Sequence, residues 1–300
     1  MTLSVRQSRV TDIDLRAPRA ARSWWRDPIA HVLRRPLGIA GAAIILLLIV
    51  TAILAPVIAP YSPTAQDADR LLEPGRPYWL GTDEFGRDIL SRILYGARVS
   101  LQVGAISVGI AMIAGSAIGL ISGFFMGMVD SVVQRFVDIM LAFPAVILVI
   151  AIAGVLGPSM VTAMIAIGIV YAPNFARIVR GPTIVVMQNQ YVEAGRVIGA
   201  GSGRLMLRYV LPNVTAPIIV QATLALSTAI LAEATLSFLG LGTQPPDPSW
   251  GTMLGSGRKY METAPHVAIF PGLAIAITVL GFNLLGDALR DALDPSLRDL

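Results

Sequence analysis

The sequence predicts an all-α membrane protein with six transmembrane helices and both chain ends in the cytoplasm. Three observations lead there. Of 300 residues, 55% are hydrophobic and only 14% charged, against roughly 25% charged in an ordinary soluble domain. Uncharged runs long enough to span lipid recur along the chain, the longest covering residues 139 to 176. The basic residues divide sixteen to seven between the two sides that six alternating spans create, and the richer side is the cytoplasmic one.

The first 35 residues carry eight arginines and no apolar run, so no cleaved signal is expected there. Trp24 and Trp25 beside Arg26, followed by Arg34 and Arg35, suit an element at the lipid headgroups, where amphipathic rings and cations both sit comfortably. Residues 36 to 80 hold span one, about 38 to 59, and an external loop with Pro60, Pro63, Asp67, Asp69 and Glu73. Residues 81 to 300 hold the remaining five spans. The stretch 81 to 101 places Ile89, Leu90, Ile93, Leu94 and Ala97 on one helical face, with Asp88 and Arg92 at i, i+4 on another. It reads as an amphipathic helix at the outer interface.

Span two follows at about 101 to 124. Gly115, Gly119, Gly123 and Gly127 recur every fourth residue, and small residues at that spacing let two helix backbones approach closely in lipid. Asp130 and Arg135 mark a polar turn. As one helix, residues 139 to 176 would be ~57 Å long, far beyond a hydrocarbon core of ~30 Å. Gly157 and Pro158 therefore separate span three, about 137 to 156, from span four, about 159 to 176, and Pro144 kinks the third. Span five covers about 215 to 239 and span six about 266 to 286. Between them Pro245, Pro246 and Pro248 forbid a continuous helix, and Trp250 suits an interface.

Gln190 to Asn213 is polar and arginine-bearing, yet it stands between apolar runs. It reads as two short helices joined where Gly199, Gly201 and Gly203 permit a reversal, with Pro212 breaking the second helix before span five. The charge count places this knob in the cytoplasm. Its spacing runs Glu193-Ala194-Gly195, three residues, Gly199, nine residues, then Tyr209-Val210-Leu211-Pro212.

That spacing resembles the EAA loop of importer-type ABC transporter permeases, whose pattern is E-A-A, three residues, G, nine residues, I, any residue, L-P. Glu193, Ala194, Gly199, Leu211 and Pro212 agree with it, while Gly195 replaces the second Ala and Tyr209 the Ile. Three further stretches resemble the C-type subunit of the dipeptide, oligopeptide and nickel importers: GTDEFGRDILSR at 81 to 92, LSFLGLGTQPPDPSWGTML at 236 to 254, and GFNLLGDALRDALDPSLR at 281 to 298. The resemblance implies a type I importer transmembrane domain. It implies as partners a sibling permease, two cytoplasmic ATPases and an extracytoplasmic binding protein, with cargo of short peptides, glutathione or nickel. It also implies that the 190 to 213 loop docks on an ATPase, Glu193 offering charge to it, Gly199 making the turn, and Leu211-Pro212 fixing the exit into span five.

The residues exclude other classes. Cysteine is absent, which removes disulfides, thiolate metal sites and a cysteine nucleophile. The only lysine, Lys259, lies in SGRKY rather than in a phosphate-binding loop, and GAGSG at 199 to 203 follows no strand pattern. ATP hydrolysis therefore belongs to a partner. His31 and His266 stand far apart in the chain and neither heads H-E-x-x-H, so neither a metal site nor any other cofactor is expected. The net charge of +4 describes membrane sidedness rather than nucleic-acid binding. Asp138, three residues after Arg135, is expected to cap span three. Glu233 lies about two turns inside the outer end of span five, where an ionisable group lines the translocation pathway or pairs with a neighbouring helix. An ion-gradient-driven transporter is the alternative, weakened by the scarcity of other intramembrane acids.

Overall fold

Each uncharged run forms a helix, because in lipid a backbone must satisfy its own polar groups. The computed structural model describes Val32 and residues 34–293. The interfacial segment expected around Trp24, Trp25 and Arg26 lies outside them. The elements are α1 (Pro36–Ile58), α2 (Ile89–Phe125), α3 (Gly127–Leu141), α4 (Ala145–Leu156), α5 (Met160–Met187), α6 (Gln190–Val197), α7 (Ser202–Leu205), a π-helical turn (Met206–Val210), α8 (Leu211–Phe238), α9 (Trp250–Gly257), a 3-10 turn (Arg258–Tyr260) and α10 (His266–Leu293). Among the described residues there is no strand, only a bridge between Thr82 and Asp88.

The amphipathic stretch and span two form one helix, not two. α2 runs unbroken for 37 residues, because no proline interrupts it and Asp88 caps its start by accepting from the Ser91 amide at 2.8 Å. Capping uses the carboxylate that was expected to meet Arg92. Arg92 instead sets its Nε 3.4 Å from Asp83 and donates from Nη1 to the Pro63 carbonyl at 3.0 Å.

The glycine row does what its spacing predicts at three positions. A methyl group on Gly115 would lie 2.2 Å from the Ala172 carbonyl, one on Gly119 2.3 Å from the Ala176 carbonyl, and one on Gly123 2.8 Å from Thr183. The fourth, Gly127, follows the end of α2 at φ 57° and touches nothing. Contacts that advance together along both chains make α2 and α5 parallel neighbours, so residues 126 to 159 must carry the chain back across the membrane. They do so as α3 and α4, bent by 89° at Ala142 to Pro144, which is the expected Pro144 kink. Asp130 and Arg135 lie inside α3, and the reversal expected at them falls earlier, at Met126-Gly127.

α10 runs antiparallel to α1 and to α8. A methyl on Gly41 would meet the Leu285 amide at 2.7 Å, one on Gly286 would meet Leu224 at 2.5 Å, and the Ser227 hydroxyl lies 2.7 Å from Asn283 Oδ1. Val32 packs on Ala288 and Ala292, and Arg35 pairs with Asp291. The starts of α1 and α8 and the ends of α2, α5 and α10 therefore share one face of the helical array, and the starts of α2, α5 and α10 share the other.

Candidate functional site

The polar loop at the first face folds as two short helices. α6 ends in a Schellman motif: Gly199, at φ 82°, donates to the Arg196 carbonyl, and the Ala200 amide donates to the Gly195 carbonyl, both at 3.0 Å. The reversal is therefore closed by bonds between near neighbours in the chain. One side of the loop is anchored. Val192, Leu205 and Val210 are buried with Leu120 and Phe124 of α2, and Val179 and Val186 of α5. The other side is bare: Val197 is 83% and Ile198 80% exposed, joined there by Leu207, Glu193 and Arg196. A rigid element that is apolar on both sides, one of them uncovered, is suited to receiving a protein surface.

Of the loop residues selected from sequence, Glu193, Ala194, Gly199 and Pro212 are exposed, Leu211 is half-buried, and Gly195 is buried. Gly195 and Tyr209, the two departures from the loop pattern, meet in space: a methyl on Gly195 would touch the Tyr209 ring at 3.6 Å and Leu205 at 2.9 Å. Pro212 does not break the helix. It lacks the N–H that an α-turn would aim at the Arg208 carbonyl, and the chain widens into the π turn Met206–Val210 before α8 continues. The loop is thereby joined to α8 without a flexible joint.

At the opposite face, Glu233 is fully buried. Its Oε1 accepts from the Ser237 hydroxyl at 2.7 Å, and Ser237 Oγ in turn accepts from the Thr243 amide at 3.0 Å. The hydroxyls of Ser249 and Thr243 lie beside the same carboxyl, whose Oε2 has no well-aligned donor. Glu233 thus ties α8 to the proline-rich loop before α9. Trp250, expected at an interface, is also internal. It stacks on Gly96, and its Nε1 donates to the Ile93 carbonyl at 3.0 Å. Glycine at 96 leaves room for the ring, and that pairing across 154 positions has no local signal. A polar crevice of about 340 Å³ opens beside these elements, lined by Asp83, Glu84, Arg87, Arg92 and Asp247 among others.

The polar contacts of α3 have no signal in the sequence. Asp130 receives a two-pronged bond from Arg180 of α5, with Nε to Oδ1 at 2.6 Å, and accepts from the buried Ser122 hydroxyl of α2. Asp138 pairs with Arg177 and caps nothing, since it lies well inside α3. An aspartate 50 residues from its arginine leaves no pattern in one sequence. Among the described residues, no group of three His, Cys, Asp or Glu side chains stands close enough to hold a metal ion.

Residues 115–299 match the family described as binding-protein-dependent transport system inner membrane component, and residues 23–74 match the N-terminal transmembrane domain of oligopeptide transport permease C. The chain is 47% identical to the dipeptide transport system permease protein of Alkalihalophilus pseudofirmus, with 93% of this chain and 92% of that one covered. It is 46% identical to a di/tripeptide transport system permease protein of Pseudomonas aeruginosa, covering 96% of each. It is 44% identical to a glutathione transport system permease protein of Pectobacterium atrosepticum, covering 93% and 94%. In three dimensions it resembles a chain of the MetNI methionine ABC transporter in an inward-facing conformation. That match has a TM-score of 0.56 at 19% identity and covers 69% of this chain and 98% of the other. At that identity the likeness concerns the fold, which is that of a type I importer transmembrane domain.

Proposed function

We propose, from the premise that this chain belongs to the family of binding-protein-dependent transport system inner membrane components, that it passes short peptides inward and takes its drive from separate ATPase subunits through the 190 to 213 loop. Membership makes it a multi-pass permease of the bacterial inner membrane and a transport subunit rather than an enzyme. It sets aside the ion-gradient alternative. The peptide assignment rests on three relatives named for dipeptides, di- and tripeptides, and glutathione, which share short-peptide chemistry.

The observation that carries the coupling role is the knob itself. It is anchored on α2 and α5 by Val192, Leu205 and Val210, braced into α8 through the π turn, and bare at Val197 and Ile198. A push on the bare side reaches three membrane helices without crossing a flexible joint. Glu193 and Arg196, exposed beside the apolar tip, supply the charge that would orient an ATPase surface. The complete importer would comprise a sibling permease, two ATPases and an extracytoplasmic binding protein, and the transport cycle would alternate access between the two faces. The basic excess supports a cytoplasmic position for the knob and for both chain ends. For Glu233, complete burial and the bond to Ser237 support pairing within the outer end rather than lining of the pathway.

The test replaces Val197 and Ile198 with Asp, singly and together, in a complex purified with its ATPases and reconstituted with its binding protein. We expect the permease to insert and fold as before, while the ATPases are lost or peptide-stimulated ATP hydrolysis collapses. Full stimulation and full dipeptide uptake in the double variant would end the coupling assignment. Uptake of labelled dipeptide and glutathione by the unaltered complex tests the cargo.

A further inference from the structure

α3 is fastened to the bundle in a way the other membrane helices are not. Its only buried apolar side chain is Val137, while Met128, Val129, Val132, Phe136 and Ile139 are exposed. Between α3 and its neighbours α2 and α5 lies an apolar crevice of about 420 Å³, bordered by Ile110, Val133, Phe136, Met140 and Ile169. Polar groups fasten the helix to its neighbours. Asp130 receives the forked bond of Arg180, the Ser122 hydroxyl donates to Asp130, and Gln134 Nε2 donates to Ser122 Oγ at 2.9 Å. Three helices thus meet at one carboxylate, at the face that bears the loop. The Asp130 side chain is only 15% exposed, and a forked arginine–carboxylate pair fixes direction as well as distance.

We infer that the Arg180–Asp130 pair is the positioning contact that makes the broken span α3–α4 follow α5 during transport. This rests on the reading of the 190 to 213 loop as the point of drive. Arg180 lies ~10 Å of helix before the end of α5, and two residues separate that end from α6. A displacement of the loop passes through that two-residue turn and then along α5 to Arg180. Across the apolar crevice there is little packing to pass it on, so the ion pair and Ser122 carry it to α3. α3 then moves α4 through the bend at Ala142 to Pro144. Arg177–Asp138, whose side chains are both more than half exposed, is joined by a single bond to one helix and fixes direction less than the forked pair does.

The absence of cysteine allows single labels to be introduced without background. Spin labels at Met128→Cys on α3 and Val185→Cys on α5, both exposed sites, report the distance between the two helices in the assembled importer with and without trapped ATP. In the unaltered pair we expect one narrow distance in both states. In Asp130→Asn and Arg180→Gln the distribution should broaden or depend on nucleotide, with transport per ATP hydrolysed falling about tenfold, within the range of coupling energies between sites. Arg180→Lys, which keeps the charge, should recover part of that ratio, and Asp138→Asn should keep it. A nucleotide-dependent distance with the pair intact would overturn the inference, as would normal transport per ATP in Asp130→Asn. Failure of both Asp130→Asn and Arg180→Lys to assemble would overturn it too, by making the contact purely structural. If ATPases are missing from the unaltered complex, it is the loop assignment that fails, and this inference goes with it.

Discussion

The outer end of the helical array and the 190 to 213 loop are built on opposite principles. At the end bearing Glu233 and Trp250, polar groups are buried and bonded across long stretches of chain: Trp250 to Ile93, Arg92 to Pro63, and Glu233 through Ser237 to Thr243. The 190 to 213 loop at the other end closes its own turn through bonds between near neighbours and leaves Val197 and Ile198 exposed, while the helices beside it are joined by the long-range pairs Arg180–Asp130 and Arg35–Asp291. The first end is organised against its own protein. The second closes its own turn, rests one side on α2 and α5, and presents the other as a surface. On the proposed coupling role, a segment that is pushed has to keep its shape without support from the partner that pushes it. The α6 helix with its glycine cap meets that need over eight residues.

The contrast breaks most sharply at Trp250. Trp250→Ala removes a buried ring and the donor to the Ile93 carbonyl, so thermal unfolding in detergent should show a loss of about 3–5 kcal/mol. A change of the size seen for a surface residue would mean that the outer end is looser than its contacts indicate. Glu233 sharpens the same point. Glu233→Leu strands the Ser237 hydroxyl and should cost about 1–3 kcal/mol. Glu233→Gln keeps an acceptor for Ser237, so folding and peptide uptake should stay near the unaltered values. Lost uptake with unchanged unfolding would instead return Glu233 to the translocation pathway.

The loop should respond in the reverse sense. Gly199→Ala forces a side chain into the left-handed region, at a local cost of about 1–2 kcal/mol. It should lower peptide-stimulated ATP hydrolysis more than it lowers the unfolding temperature. Equal falls in both would show the loop to be part of the folding core. The smallest effect is expected at Glu193, where Glu193→Gln should leave stability within about 0.5 kcal/mol while weakening ATPase stimulation. Unchanged stimulation there would confine docking to the apolar tip.

Gly195 and Tyr209 show why a loop pattern is best judged in space. In the sequence they are two separate departures, each weakening the resemblance. In the fold they are neighbours: a methyl on Gly195 would lie in ordinary contact with the Tyr209 ring at 3.6 Å, and it is Leu205, at 2.9 Å, that leaves room only for glycine. The loop's spacing, its glycine turn and its position between spans were legible, because they depend on residues near one another in the chain. The Pro144 bend and the break at Gly157-Pro158 were legible for the same reason. The pairing of Asp130, the capping by Asp88 and the burial of Trp250 were not, since each depends on which helix stands opposite.

The sequence by itself determined that this chain crosses the membrane repeatedly, where most spans lie, and that one polar segment leaves the lipid between α5 and α8. Hydrophobic length and charge position decide these, through the high cost of an unsatisfied backbone or a lone charge in hydrocarbon. Only the tertiary structure decided that α2 and α5 run side by side in the same direction, that Arg180 reaches Asp130, and that Glu233 is sealed inside. Those outcomes rest on contacts between residues tens of positions apart, and in such contacts a side chain's partner is set by the geometry of packing rather than by its neighbours in the chain.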